Sequence, residues 1–174
     1  EHIHKIPQAL EKMFAALRPG GKLFSMFCPI WSAHDGHHIP AVTDSHGVLI
    51  ERGGSNCPIP PWGHLTMSPP EMCEHLYQHT DKKTADLLVY YIYNSDHINR
   101  FFLEDYLNFV QQSSFSIEKI ERIYPTSENI EIQKTLKGLY PKKEDFLSNG
   151  LMLVLTKPLS TKNIANKSNE LVTF

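Results

Sequence analysis

Leu17-Arg18-Pro19-Gly20-Gly21 divides the chain, because a helix does not continue through it. Proline lacks the N–H that a helix interior needs, and glycine readily takes the left-handed conformation that closes a helix. Upstream, Ile3, Ile6, Leu10, Met13, Phe14 and Leu17 recur at spacings of three and four, so they share one helical face. Pro7 falls in the first turn, where its missing donor does no harm. Downstream, residues 22–28 carry Leu23, Phe24, Met26 and Phe27, an apolar run that predicts a strand covered on both faces. Pro29 stops it. A helix, a sharp turn and a buried strand in immediate succession point to an α/β fold.

Residues 29–67 are the least regular part of the chain. They hold Pro29, Pro40, Pro58, Pro60 and Pro61 and five glycines, together with Trp31, Trp62, His34, His37, His38, His46 and His64. Aromatic and imidazole side chains at this density argue against disorder and for a functional loop. Trp62-Gly63-His64 reads as the point where this loop closes back on the domain. Regular structure resumes at Ser68-Pro69-Pro70-Glu71, the pattern of a capping box. A helical stretch over 68–114 follows, with a second helix beginning after Thr80 or Asp81 and a third near 102–112. Residues 115–124 read as a strand, 127–139 as a helix and 151–156 as the clearest strand of all. The tail, 159–174, is rich in Ser, Thr, Asn and Lys and is expected to be loosely ordered.

A chain of 174 residues with 41% hydrophobic and 21% charged side chains suits one globular domain. A formal charge of -2 supplies no basic field for nucleic acid. The apolar runs are too short to span a bilayer. The first residues carry no signal-peptide pattern, and Cys28, Cys57 and Cys73 form no disulfide framework, so a cytoplasmic setting is expected.

The order of elements resembles the C-terminal half of a class I S-adenosylmethionine-dependent methyltransferase. Glu1-His2-Ile3 is similar to the end of that family's fourth strand, and Leu17 through Leu23 to the turn entering the fifth. Phe115-Ser116-Ile117 resembles the opening of the sixth. The run from Leu151 to Pro158 resembles the seventh, which in the family runs antiparallel between the fifth and sixth. The resemblance implies the C-terminal portion of a Rossmann-like methyltransferase fold over 1–158, a mixed sheet with an antiparallel last strand and helices packed on it. It also implies S-adenosylmethionine as cofactor, with Glu1 and His2 on the cofactor side. The family's glycine-rich turn and its acidic strand end have no counterpart in these residues. The resemblance then implies that these residues supply the acceptor-side half, as a fragment of a longer enzyme would.

In open α/β sheets the ligand sits beyond the carboxyl ends of the parallel strands. Here that places Glu1-His2 and the loop from Cys28 to His38 together. His2, His37 and His38 are the candidate bases for an acceptor proton near neutral pH. Trp31 and His34 would wall the pocket of a small-molecule acceptor, and Asn99 and Arg100 would bind its polar end or cap a helix. Two other classes compete. A truncated fold cut at a strand leaves a raw sheet edge, which suits a binding module or homo-oligomer. The loop's His34, Asp35, His37 and His38, with Cys57 and His64, offer a metal-binding alternative, but their spacing matches no established ligand pattern and no metal ligand is assigned. Cys28 at the strand end has no base dictated by spacing.

Overall fold

The computed structural model describes residues 1–123 and 130–159. The expected strand end at Tyr124, the helix start at 127–129 and most of the expected tail lie outside them. The fold is α/β with a small antiparallel sheet. Helix α1 (Ile6–Ala16) leads through the Pro-Gly-Gly turn into strand β1 (Lys22–Phe27). Gly20 takes the left-handed conformation that this turn requires, with φ 75°. The end of α1 is then closed by a residue far away in sequence. Lys157 Nζ donates to the carbonyls of Phe14 and Leu17 at 2.9 and 2.7 Å, satisfying acceptors a helix end leaves bare.

Residues 28–67 hold a two-stranded hairpin, β2 (Val42–Thr43) with β3 (Leu49–Ile50), and a single helical turn, α2 (Gly63–Thr66). Next come α3 (Pro69–Tyr77), α4 (Lys82–Tyr93) and α5 (Leu103–Gln112). The Glu71 carboxylate accepts from the Ser68 N–H at 2.7 Å, as the capping-box spacing requires. Asp81 caps α4, accepting from the Thr84 N–H at 3.1 Å. Strand β4 (Ser116–Ile123), helix α6 (Ile130–Leu139) and strand β5 (Gly150–Thr156) complete the chain.

The main sheet has the order β1-β5-β4, and β5 runs antiparallel to both neighbours. The last strand is therefore antiparallel, as expected. The parallel pairing that a mixed sheet needs does not occur among the described residues. A bulge in β4 between Ile117 and Lys119 accommodates Glu118, whose carboxylate takes hydrogen bonds from Lys22 Nζ of β1 and Thr156 Oγ1 of β5. One side chain thus links all three strands.

β1 departs from the expected strand covered on both faces. Its residues alternate between exposed and half-buried, with Phe24 63% and Met26 48% exposed. The reason is position: β1 lies at the sheet edge, and its apolar run has a covered face on one side only.

Two apolar cores form. One, beside the sheet, contains Leu10, Ile30, Leu103, Tyr106, Val110, Phe115, Leu151 and Leu153. The other joins Met72, Leu76, Leu88 and Ile92 to Trp31, Ile39, Ile50, Ile59, Trp62 and Leu65 from the irregular stretch. That stretch is therefore half of a core rather than a lid over one.

Candidate functional site

The N-terminal segment is laced to the connection between α4 and α5. The Asn99 N–H donates to the Glu1 carbonyl at 2.8 Å, and Asn99 Nδ2 donates to the Ile3 carbonyl at 2.9 Å. His4 Nε2–H donates to the Asp96 carbonyl at 2.7 Å, and His2 Nδ1–H to the His97 carbonyl at 2.8 Å. A carbonyl only accepts, so His2 carries its hydrogen on Nδ1 and keeps a lone pair on Nε2. That atom stands 3.6 Å from Glu1 Oε1.

The chain leaving β1 supplies the facing side. His38 has a left-handed backbone, φ 48°, tolerated by histidine more often than by bulkier residues. This conformation lets His38 Nε2–H donate to the Pro29 carbonyl at 2.7 Å, leaving a lone pair on Nδ1. The tight path depends on Gly36, where a Cβ would strike the carbonyl oxygens of Ile30 and Trp31. The His2 and His38 rings then meet edge to face, centroids 5.5 Å apart. Burial pushes the His38 imidazole down to about 4, so it is neutral at physiological pH.

Of the expected site residues, Glu1, His2 and His38 come together. Asn99 adjoins them through its hydrogen bonds to Glu1 and Ile3, while His37, Trp31, His34 and Arg100 engage other partners. His37 is 3% exposed and packs edge to face with His64, accepting a long hydrogen bond from the Ile39 N–H. Burial pushes its pKa down to about 2, so it gains no proton near neutrality. Trp31 is buried in the helical core, and its carbonyl accepts from His64 Nε2–H at 2.8 Å. Arg100 lies over the Trp31 ring at 5.4 Å and donates to the carbonyls of Ile92 and Ser95, which closes the end of α4. Asn99 is 3% exposed, and its Oδ1 accepts from the Tyr106 hydroxyl at 2.7 Å. Arg100 therefore caps the end of α4, one of the two roles expected of it, while Asn99 caps no helix and ties the N-terminal segment to Tyr106 of α5. His34 lies against Asp35 at 3.7 Å and beside the Trp62 ring.

The His-rich loop does not assemble into a ligand set of its own. Asp35 is engaged by Arg52 at 2.7 Å, and the group of metal-ligating side chains found among the described residues is Glu1, His2 and His38. Trp62 closes the loop as its sequence suggested: its Nε1–H is shared between the carbonyls of Ser32 and Phe146. Sequence reasoning missed His97, whose carbonyl fixes the His2 tautomer and whose ring meets His2 edge to face with centroids 5.0 Å apart. No spacing rule connects residues 2 and 97.

Among the described residues, the cavity that borders Glu1 does not suit S-adenosylmethionine. Its volume is about 80 Å³, and Ile3, Ile6, Leu10, Phe27 and Leu153 line it, so it offers little to a charged, ribose-bearing ligand. Ligand pockets typically enclose about 300 to 1,000 Å³. A larger cavity of about 310 Å³ lies between α1 and α5, lined by Pro7, Glu11, Phe14, Phe109 and Gln112 and by none of the expected site residues. Among the described residues no helix is long and apolar enough to cross a membrane. Comparison of the chain with protein-family models, curated proteins and solved structures returns no match.

Proposed function

We propose that this chain supplies the acceptor-side half of an S-adenosylmethionine-dependent methyltransferase acting on a small molecule. The observation that carries the reading is the meeting of His2 with His38 beyond the carboxyl end of β1. Two chain ends that the family resemblance brings to one place are in contact, held by separate hydrogen-bond sets. The order β1-β5-β4 with an antiparallel β5 agrees with the fifth, seventh and sixth strands of a Rossmann-like methyltransferase. S-adenosylmethionine would supply the methyl group, and its cradle has to come from outside these residues.

The acceptor chemistry belongs to His2. Its Nε2 is accessible and its Nδ1–H is anchored, which is what a general base needs in order to take a proton from an acceptor hydroxyl or amine. Asn99 is a positioning residue, because it holds Glu1 and Ile3 on either side of His2. Methyl transfer is an in-line displacement, so holding the acceptor in place is the larger part of the task.

A second reading draws on the exposed edge strand. β1 pairs with β5 on one side, and among the described residues nothing pairs with its other side, beside exposed Phe24 and Met26. Such an edge suits association with another chain.

Calorimetric titration of S-adenosylhomocysteine separates the readings. It is run with this chain and with a version extended by whatever its gene encodes upstream of Glu1. Binding by the extended version alone is the expected result. Binding by neither, with a stable dimer in solution, would overturn the catalytic reading in favour of an association module.

A further inference from the structure

We propose that Glu1, His2 and His38 form a binding site for one divalent transition-metal ion. One ligand atom from each of the three side chains lies within 4.8 Å of the others. Ligand atoms bonded to one tetrahedral zinc at about 2.0–2.1 Å stand about 3.4 Å apart. His2 Nε2 and Glu1 Oε1, at 3.6 Å, are already close to that edge. Closing the set requires rotation of side chains at an open end of the site, where His2 is exposed.

The tautomers are the second and independent support. A metal-bound imidazole donates its other ring N–H to a carbonyl or carboxylate, which orients the ring and fixes which nitrogen is free. Both histidines have this arrangement in place. His2 Nδ1–H is held by the His97 carbonyl and His38 Nε2–H by the Pro29 carbonyl, with the remaining lone pairs on His2 Nε2 and His38 Nδ1. The left-handed backbone of His38 is the local distortion that produces this orientation.

Two imidazoles and one carboxylate leave positions open for water or substrate. That donor set suits zinc or ferrous iron and is poor for magnesium or calcium, which prefer all-oxygen shells. The site goes beyond the methyl-transfer reading and does not depend on it. Where both hold, the ion occupies the lone pair that would otherwise take the acceptor's proton, so His2 changes from base to ligand and an acceptor oxygen on the metal is acidified instead.

The test is titration of zinc into the intact chain by calorimetry, with cobalt as a spectroscopic substitute that reports coordination in its visible bands. One ion per chain is expected. Glu1→Gln and His38→Ala should each weaken binding about tenfold or more and change the cobalt spectrum. Circular dichroism establishes that each variant is folded, and Glu1→Gln keeps the size and backbone contacts of Glu1. His79, which is exposed, and half-buried His75, whose rings lie 4.4 Å apart, are the natural source of adventitious binding. The double variant His75→Ala/His79→Ala should keep the tight site. Zinc binding unaltered by Glu1→Gln and His38→Ala, or abolished by the His75/His79 variant, overturns the proposal. Neither result bears on S-adenosylhomocysteine, so the metal site and the methyltransferase reading fail separately.

Discussion

His64 is buried, with its Nε2–H committed to the Trp31 carbonyl and its Nδ1 without a hydrogen-bond partner. Burial pushes its pKa down from 6.5 to about 4, and that of its neighbour His37 to about 2. In the unfolded chain both titrate near 6.5. Between pH 6.5 and about 4 the unfolded state therefore binds protons that the folded state refuses. The stability is fully present above pH 6.5 and falls as pH drops through that window, on the order of 1 kcal/mol per group per pH unit. Thermal melts at pH 7 and pH 5 should show the lower midpoint at pH 5. In His64→Gln, which keeps a donor toward Trp31 but does not titrate, the dependence should be shallower. An unchanged slope would place the acid sensitivity elsewhere. Asn99 makes the same point about environment. From sequence it was an Asn beside an Arg, with substrate binding and helix capping both open. Four partners (Glu1, Ile3, Phe101 and Tyr106) give it a structural role that no local pattern encodes.

Elements were legible wherever termini carry their own chemistry. Ser68 with Glu71 marked the start of α3, Asp81 that of α4, and Pro19-Gly20-Gly21 the end of α1. How the α1 terminus is finished was not legible, because its closing residue is Lys157. That ammonium bonds two carbonyls of the last turn and lies over the Phe14 ring at 4.7 Å. Hydrogen bonds from a charged donor contribute about 1.5–3 kcal/mol when their partners are half-buried. Lys157→Met keeps the stem and removes the charge, and it should lower stability by about 1–3 kcal/mol in urea unfolding. A change of a few tenths would mean that water replaces the ammonium at no cost. The edge strand is the complementary failure. Leu23, Phe24, Met26 and Phe27 look doubly buried in sequence, yet Phe24 and Met26 face outward because strand position is a property of the sheet.

At the scale of the molecule the two cores are joined by consecutive residues. Ile30 enters the sheet-side core and Trp31 the helical one, and Leu103 and Phe102 divide in the same way at the start of α5. Trp62 adds a hydrogen-bonded tie between Ser32 and Phe146. Neither core can open without pulling side chains from the other, so unfolding should be a single calorimetric transition with matching calorimetric and van't Hoff enthalpies. Leu88→Ala in one core and Leu151→Ala in the other should each lower the same midpoint, at a cost of about 2–5 kcal/mol. Two resolved transitions would show that the cores melt independently.

The sequence by itself determined the elements whose signals are local: helical periodicity, caps, proline and glycine stops, and the apolar run of β5. It also pointed to the chain after β1 and to Glu1-His2 as places to look. The tertiary structure decided everything that depends on distance in sequence. It turned an irregular, proline-rich stretch into half of a core, because Trp31, Ile39, Ile50, Ile59 and Trp62 reach that core through turns rather than a repeating period. It separated His37 from His38, neighbours in sequence, burying one against His64 and turning the other to His2 through a left-handed backbone. Backbone conformation at one residue sets which way a side chain points, and burial sets whether it can carry charge; neither is fixed until the chain has packed.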